Sequence, residues 1–168
     1  MHDLVSQIRN IYEILRGEMK SNFDRHVSFG DLFTDRWDRA AFLGFGEGSS
    51  CYDSALILGD VKVRENTWIG PNTVLDGSGG LEIGSFCSIS AGVQIYSHDS
   101  VAWSVSKGKE PKIYEKTTIG DGVYIGPQSV IQKGITIGDG AIIGAMSFVT
   151  RDVSRGAKVF GVPAKTNN

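Results

Sequence analysis

The stretch that decides the fold runs from Ile119 to Val149 and reads IGDGVYIGPQSVIQKGITIGDGAIIGAMSFV. A β-branched aliphatic residue recurs at every sixth position: Ile119, Ile125, Ile131, Ile137, Ile143 and Val149. Glycine often follows the aliphatic residue, and a small or β-branched residue lies four positions after it. This period does not fit an amphipathic helix, whose apolar residues recur about every 3.6 positions. The spacing predicts a β-solenoid, in which about three hexapeptides close one triangular coil and glycine serves the turns.

The same period is present earlier in the chain. It runs through Ile57, Val63, Ile69 and Leu75, then through Ile83, Ile89 and Ile95, and again through Ile113 and Ile119. A two-residue slip between residues 76 and 80 separates the first two runs. An ordinary β-sandwich would instead show strands of period two, about 8–12 residues apart. The unbroken hexads favour stacked coils around one aliphatic column.

Length and charge exclude several classes of protein. The chain has 168 residues, which fits one domain. Its 17 basic and 19 acidic residues give a net charge of −2, which argues against broad binding of nucleic acid or an anionic membrane. No apolar run is long enough for a membrane span, and the N-terminus lacks the pattern of a signal peptide. Two cysteines form neither a disulfide framework nor a C-x-x-C site, so we expect a reducing, cytoplasmic location.

Several runs carry a family resemblance. They are W-I-G-P-N-T from Trp68, L-E-I-G-S-F-C-S-I-S-A-G-V from Leu81, the hexads from Ile119 onward, and the ending G-V-P-A-K at Lys165. Over roughly residues 57–165 the chain resembles the hexapeptide-repeat acyltransferases, and it looks closest to the O-acetyltransferases of surface polysaccharides. The resemblance implies a left-handed parallel β-helix, a homotrimer with active sites between subunits, and acetyl-CoA as co-substrate. It further implies acetyl transfer to a hydroxyl or amine of a saccharide acceptor.

The region before the repeat has helical spacing. Residues 3–18 place Leu4, Ile8, Ile11, Tyr12 and Leu15 on one stripe, which we expect to pack into the core, with contact to a partner helix as the alternative. A second helix is predicted around residues 31–43, with Leu32, Phe33, Trp37 and Phe42 partly buried. We therefore expect residues 1–50 to form a helical cap over the open end of the solenoid, and residues 51–168 to form the β-helix domain.

A loop excursion at residues 96–112 interrupts the hexads and holds the candidate catalytic residue. Loops that leave a rigid scaffold often carry function. The run Y-S-H-D matches the place where the resembled family keeps a catalytic histidine, so the resemblance makes His98 the general base. Asp99 is predicted to orient the ring, although a solvent-facing turn explains it equally well. Asp76, at the slip, is another candidate for that role.

The resemblance also implies a set of cofactor contacts. Tyr124 would face the thioester end of acetyl-CoA, while Gly126, Ala145, Thr150, Arg151 and Lys165 would contact the rest of CoA. Corner geometry explains Gly126 and Ala145 equally well, and surface charge is the alternative for Arg151 and Lys165. The chain departs from the family pattern at Ser154 and Arg155, where a proline is common, and at Phe160, which replaces a smaller residue.

The cysteines and histidines bear on two other classes of function. Cys51 and Cys87 are candidate acyl-carrying nucleophiles, but Cys87 occupies a repeat position that predicts core packing. Metal-dependent hydration on this fold needs three histidines on zinc, and the repeat region contains only His98, so no metal site is expected. A non-catalytic β-helix that serves as a scaffold or binding module remains the alternative, and an acyl donor other than acetyl-CoA is also left open.

Overall fold

The computed structural model describes residues 2–166, and most of them wind into a parallel β-helix. Strands of successive coils pair in parallel, as Ser50 does with Trp68 and Tyr124 with Ile142. In both pairs the partners are three hexapeptides apart in the sequence. The predicted mainly β fold, a solenoid of hexapeptide repeats with a short N-terminal helical segment, is confirmed. The solenoid has about six coils, and the arrangement is consistent with a left-handed β-helix. Parallel stacking follows from a repeat that cannot bury its apolar face within a single coil.

One flat face of the solenoid is a single sheet. In spatial order it consists of Ser50–Cys51 (β1), Trp68–Ile69 (β3), Ser88–Ile89 (β5), Tyr124–Ile125 (β10), Ile142–Ile143 (β13), Lys158–Phe160 (β15) and Lys165–Thr166 (β16). The last strand, β16, pairs antiparallel with β15 and closes this edge.

A second sheet covers the other faces. Its strands are Leu56–Val63 (β2), Val74–Ile83 (β4), Gln94–Ile95 (β6), Thr117–Ile119 (β9), Val130–Ile131 (β11), Thr136–Ile137 (β12) and Phe148–Val149 (β14). The strands β2 and β4 are long because they continue round a corner, and their pairing shifts register between Gly59 and Val61. The predicted two-residue slip lies at this irregularity.

The core is the column of hexad aliphatics. In-register pairing superposes Ile89, Ile125 and Ile143 in successive coils. The hexad residues from Ile69 to Ile95 and from Ile119 to Val149 are at most 2% exposed. Ile113 is an exception to the predicted pattern, because it lies outside the coils and is exposed. At the corners, Gly122 and Gly140 have φ near +66°, a conformation that favours glycine.

The excursion inserts chain within a single coil, between the strand that ends at Ile95 and the strand that ends at Ile119. Ile83 pairs with Ile119, and Ile95 pairs with Ile131, so the residues between Ile95 and Thr117 add no coil of their own to the stack. The excursion contains a short hairpin of His98–Asp99 (β7) and Ile113–Tyr114 (β8), joined through a short helix whose bounds are Val101–Val105. Its place in the fold puts His98 against the side of the coil stack.

The N-terminal region forms three helices, whose bounds are His2–Phe23 (α1), Phe29–Phe33 (α2) and Arg36–Phe42 (α3); the helix of the excursion is α4. The predicted second helix is divided in two because Asp35 caps a new helix. Its Oδ1 accepts hydrogen bonds from the backbone N–H groups of Trp37 and Asp38. Phe42, predicted to be partly buried, is 89% exposed, and Ala40 is the buried residue of α3.

The helix α3 covers the first coil, whereas α1 does not reach the core. Arg39 of α3 donates hydrogen bonds to the carbonyl oxygens of Tyr52 and Ala55. Helix α1 packs against the five-residue helix α2, and Leu4, Ile8 and Ile11 stay exposed. The prediction that this stripe packs into the core is therefore wrong, because α2 is too short to cover it. None of the helices within residues 2–166 has the length and apolarity of a membrane span.

The aliphatic column predicts a large effect of truncation at its centre. We expect Ile125→Ala to lower the free energy of unfolding by about 2–5 kcal/mol, because Ile125 is fully buried between two stacked isoleucines. The matched control is Val105→Ala on the exposed surface of α4, which we expect to cost less than about 0.5 kcal/mol. Urea unfolding of both variants measures the difference, and equal effects would contradict this description of the core.

Candidate active site

The slip and the excursion bring Asp76 and His98 together. Leu75 pairs with Ile95 of the next coil, so the corner after Leu75 lies beside the start of the excursion. Asp76 occupies that corner with its side chain fully buried, and its Oδ2 lies 2.5 Å from Nδ1 of His98. The His98 side chain is 30% exposed. The pair thus joins a buried carboxylate to an accessible imidazole.

Hydrogen bonds keep the Asp76 carboxylate ionised. Oδ1 accepts from the backbone N–H and hydroxyl of Ser78, at 3.0 and 2.6 Å, and Oδ2 accepts from the N–H of Ser97 at 3.1 Å. Burial acts to raise the pKa of Asp76, but the hydrogen bonds from Ser78, Ser97 and His98 outweigh it and lower the pKa to about 2. An ionised carboxylate only accepts, so Nδ1 of His98 carries a proton and Nε2 is left as the basic nitrogen.

The hairpin supports the ring from its other side. His98 on β7 pairs with Tyr114 on β8, and the two rings stack with centroids 5.7 Å apart. Ser97 ties the base of the hairpin to the coils: its carbonyl accepts from Glu115 N–H and its hydroxyl accepts from Gly79 N–H, both at 2.8 Å. The imidazole is therefore held by a hydrogen bond at one nitrogen and by a parallel aromatic ring.

A groove of about 400 Å³ runs beside His98. Its walls are largely apolar and come from both the excursion and the coils, namely Tyr96, Val101, Val130, Gln132, Lys133 and Phe148. A hollow of about 460 Å³ lies on another face, where Arg64 and Asp121 pair at 3.8 Å, but its lining includes no histidine. The His98 groove is therefore the cleft in which an acid–base residue meets an apolar wall.

Asp99 lies apart from the ring that it was predicted to orient. Its Oδ1 accepts from Val101 N–H at 3.0 Å, and its Oδ2 lies 3.5 Å from Nζ of Lys133. Neighbouring residues of a strand point to opposite sides, which explains why His98 and Asp99 have different partners. The structure places Asp76 rather than Asp99 on Nδ1 of His98.

Two of the predicted cofactor residues are in contact at one corner of the solenoid. A Cβ built on Gly126 would lie 2.5 Å from the backbone nitrogen of Ala145 in the next coil. Coil stacking alone therefore requires a glycine here. Tyr124 lies two positions earlier on β10, and its side chain is exposed. Its partners on the neighbouring strands are Ser88 and Ile142.

The remaining predicted cofactor residues lie at the C-terminal end of the solenoid. Thr150 and Arg151 follow β14, which contributes Phe148 to the His98 groove, and Arg151 is exposed. Lys165 is exposed on β16, where it pairs with Phe160. Phe160, one of the departures from the family pattern, packs its ring over Gly144. The predicted set is thus spread along several coils instead of being gathered round His98.

Both cysteines are poor nucleophiles. Cys51 and Cys87 are buried, and burial raises the pKa of both thiols, that of Cys51 to about 11. The prediction that Cys87 is a core residue is confirmed. Within residues 2–166, no three His, Cys, Asp or Glu side chains converge in an arrangement that could hold a metal ion.

Comparison with known proteins agrees with this fold. The family model described as bacterial transferase hexapeptide (six repeats) matches residues 116–151. The predicted resemblance is therefore confirmed for the repeat itself. The comparison with curated proteins finds no match.

Solved structures of acyltransferases share the fold. A galactoside acetyltransferase in complex with coenzyme A is 23% identical with a TM-score of 0.70, covering 97% of this chain and 80% of that one. A variant of AntD, an N-acyltransferase from Bacillus cereus in complex with dTDP and coenzyme A, is 24% identical with a TM-score of 0.67, covering 74% and 71%. AntD with dTDP and 3-hydroxybutyryl-CoA is 20% identical with a TM-score of 0.64, covering 80% and 90%. At these identities the likeness concerns the fold.

The hydrogen bonds to Asp76 predict a specific dependence of stability on pH. The pKa of Asp76 in the folded protein lies below its ordinary value of 3.8, so ionised Asp76 stabilises the fold above about pH 4. That contribution, on the order of 2 kcal/mol, is lost as the pH falls towards 2.

We therefore expect Asp76→Asn to be less stable than the wild type at pH 5 and to lose less stability between pH 5 and pH 2.5. Urea unfolding at the two pH values measures this, with Asp60→Asn, an exposed carboxylate, as the control. Parallel losses for the wild type and Asp76→Asn would show that Asp76 is not held as an anion.

Proposed function

We propose that the protein is a CoA-dependent acetyltransferase that moves the acetyl group of acetyl-CoA to a hydroxyl, or an amine, of a sugar or sugar derivative. The observation that carries this proposal is the Asp76–His98 pair at the mouth of an apolar groove. A histidine whose Nδ1 is held by a buried carboxylate has the form of a general base with Nε2 free to take a proton.

In the proposed reaction, Nε2 of His98 takes the proton of the acceptor hydroxyl as the oxygen attacks the thioester carbonyl. A tetrahedral intermediate forms, and the C–S bond then breaks. The CoA thiolate leaves and receives the proton from the His98 imidazolium, so the products are an acetyl ester and CoA. Asp76 stays ionised throughout and stabilises the imidazolium while it exists. An amine acceptor would follow the same steps and give an amide.

The comparisons support this chemistry. Proteins that share the fold were solved with coenzyme A or an acyl-CoA, and two of them are an acetyltransferase and an N-acyltransferase. The matched repeat belongs to a family model of bacterial transferases. Together with His98, these likenesses favour acetyl-CoA as the co-substrate.

For CoA binding we propose the residues that the resemblance implies. Tyr124 would contact the thioester end, the corner of Gly126 and Ala145 would offer backbone amides, and the Thr150–Arg151 segment and Lys165 would bind the remainder of the cofactor. Exposed Arg151 and Lys165 are cations suited to its phosphates. Because these residues are spread along the coils, a long, extended ligand fits them better than a compact one.

The wider setting is also part of the proposal. A homotrimer, with a site in each of the grooves between neighbouring subunits, would bring the CoA residues of one chain towards the His98 groove of another. A cytoplasmic enzyme of polysaccharide biosynthesis fits a co-substrate made in the cytoplasm and a saccharide acceptor. Asp99, predicted to be catalytic, would act through its contact with Lys133 rather than on the His98 ring.

The rival function is a non-catalytic β-helix that serves as a scaffold or binding module. A scaffold has no need for a carboxylate that is fully buried and hydrogen-bonded to an accessible imidazole. Burial of such a group is costly unless its partners compensate it. This arrangement favours the enzyme.

The test is an assay for CoA release from acetyl-CoA with a panel of monosaccharides, amino sugars and sugar nucleotides. For the acceptor that reacts, we expect His98→Ala to lower kcat by about 10²- to 10⁴-fold, because a positioned base contributes that much. The KM for acetyl-CoA should be unchanged, since His98 acts on the acceptor. Thermal unfolding confirms that the variant is folded, and an unchanged kcat would refute the role of His98.

Asp76→Asn tests the second half of the pair. An asparagine amide can donate to Nδ1 and so favours the tautomer with its proton on Nε2, which cannot act as a base. We expect a fall in kcat nearly as large as that of His98→Ala, with Asp60→Asn as the unaffected control. Activity of Asp76→Asn close to the wild type would show that the carboxylate has no part in the reaction.

A further inference from the structure

The hairpin that carries His98 is too short to be stable without contacts to the coils. It pairs only His98 with Tyr114 and Asp99 with Ile113, and both Ile113 and Tyr114 are exposed. An isolated two-stranded hairpin is marginally stable in water. Its placement against the coils therefore depends on contacts that the coils supply.

Lys133 supplies such a contact to both sides of the hairpin, through Asp99 of β7 and through Glu115, the residue after β8. It lies at the corner after β11, in the coil that stacks directly below the start of the excursion. Its Nζ lies 3.0 Å from Oε1 of Glu115 and 3.5 Å from Oδ2 of Asp99. Asp99 directly follows His98, and Glu115 directly follows Tyr114. One ammonium group thus binds the two chain segments next to the stacked His98–Tyr114 pair.

The environment of Lys133 distinguishes it from ordinary surface lysines. Its side chain is 11% exposed, whereas Lys116, paired with Glu82 at 2.8 Å, is 52% exposed. Exposed single pairs contribute little because water and salt screen them. The hydrogen bond to Glu115 raises the pKa of Lys133 and keeps the ammonium charged. Without that charge, the carboxylates of Asp99 and Glu115 would lose the ammonium group that they share.

We propose that Lys133 is a positioning residue that sets the place of the His98 ring over the groove, acting through Asp99 and Glu115. This inference rests on the proposed role of His98 as the base. Asp76 fixes the Nδ1 end of the ring from inside the coils, and Lys133 fixes the hairpin on which the ring is carried. The backbone reinforces the second anchor, since Gly134 N–H donates to the carbonyl of Glu115 at 3.2 Å.

The test compares Lys133→Met, which removes the charge, with Lys133→Arg, which keeps it, and with Lys116→Met as the matched control. Two measurements use the free protein: NMR of the His98 ring nitrogens, and the rate at which diethyl pyrocarbonate modifies His98, followed by mass spectrometry. We expect Lys133→Met to shift the ring signals and speed modification, Lys133→Arg to restore most of both, and Lys116→Met to change neither.

Kinetics with the acceptor found by the CoA-release assay provides the third measurement. A misplaced base should lower kcat of Lys133→Met about 10- to 100-fold with KM for acetyl-CoA unchanged. Wild-type ring signals and kcat in Lys133→Met would overturn the proposal, and so would equal effects of Lys133→Met and Lys116→Met. If Lys133→Met shifts the His98 ring signals but the wild type shows no transferase activity, the positioning role of Lys133 is supported and the proposed function is refuted.

A variant that fails to fold is replaced by Glu115→Gln, which removes one of the two partners of Lys133. The expected result is a smaller shift of the His98 ring signals in the same direction, with faster modification. Ring signals of Glu115→Gln that match the wild type would overturn the proposal.

Discussion

The in-register stacking of aliphatic side chains is the constraint on which the rest of the structure depends. A shift of one residue along a strand would turn its inward side chains to the outside. Extra residues can therefore enter only at corners or as excursions that leave the stack. Residues 2–166 contain one of each, the slip between residues 76 and 80 and the excursion after Ile95. Since Leu75 and Ile95 are register partners, both irregularities meet at the same corner of neighbouring coils.

That meeting creates the chemistry. A buried carboxylate needs hydrogen-bond donors to stay charged. The slip provides Ser78 and the excursion provides Ser97 and His98, so Asp76 joins the two irregularities while it remains ionised. The coils give the pair a rigid base, and the hairpin holds the imidazole where a groove opens beside it. The site of the proposed function thus lies at the point where the repeat is broken.

The period of six was sufficient to predict the coils and their core, because each hexad reports its own inward position. It failed at Ile113, which keeps the spacing although the chain has left the stack there. The choice between Asp76 and Asp99 depended on register, since proximity along the chain favours Asp99 and only the pairing of Leu75 with Ile95 favours Asp76. Counting hexads across the slip predicts the pairing of Leu75 with Ile95, and therefore the position of Asp76 beside the excursion. The apolar stripe on α1 correctly predicted a helix. It could not show that the helix packs against the short helix α2, which leaves most of the stripe exposed.

A calorimetric titration with acetyl-CoA tests the central claim most directly. We expect binding with a Kd between about 1 μM and 1 mM, near one site per chain. We expect the same affinity for His98→Ala, because the ring acts on the acceptor and not on the cofactor. No heat, together with no thermal shift at millimolar acetyl-CoA, would contradict the account and identify the solenoid as a scaffold.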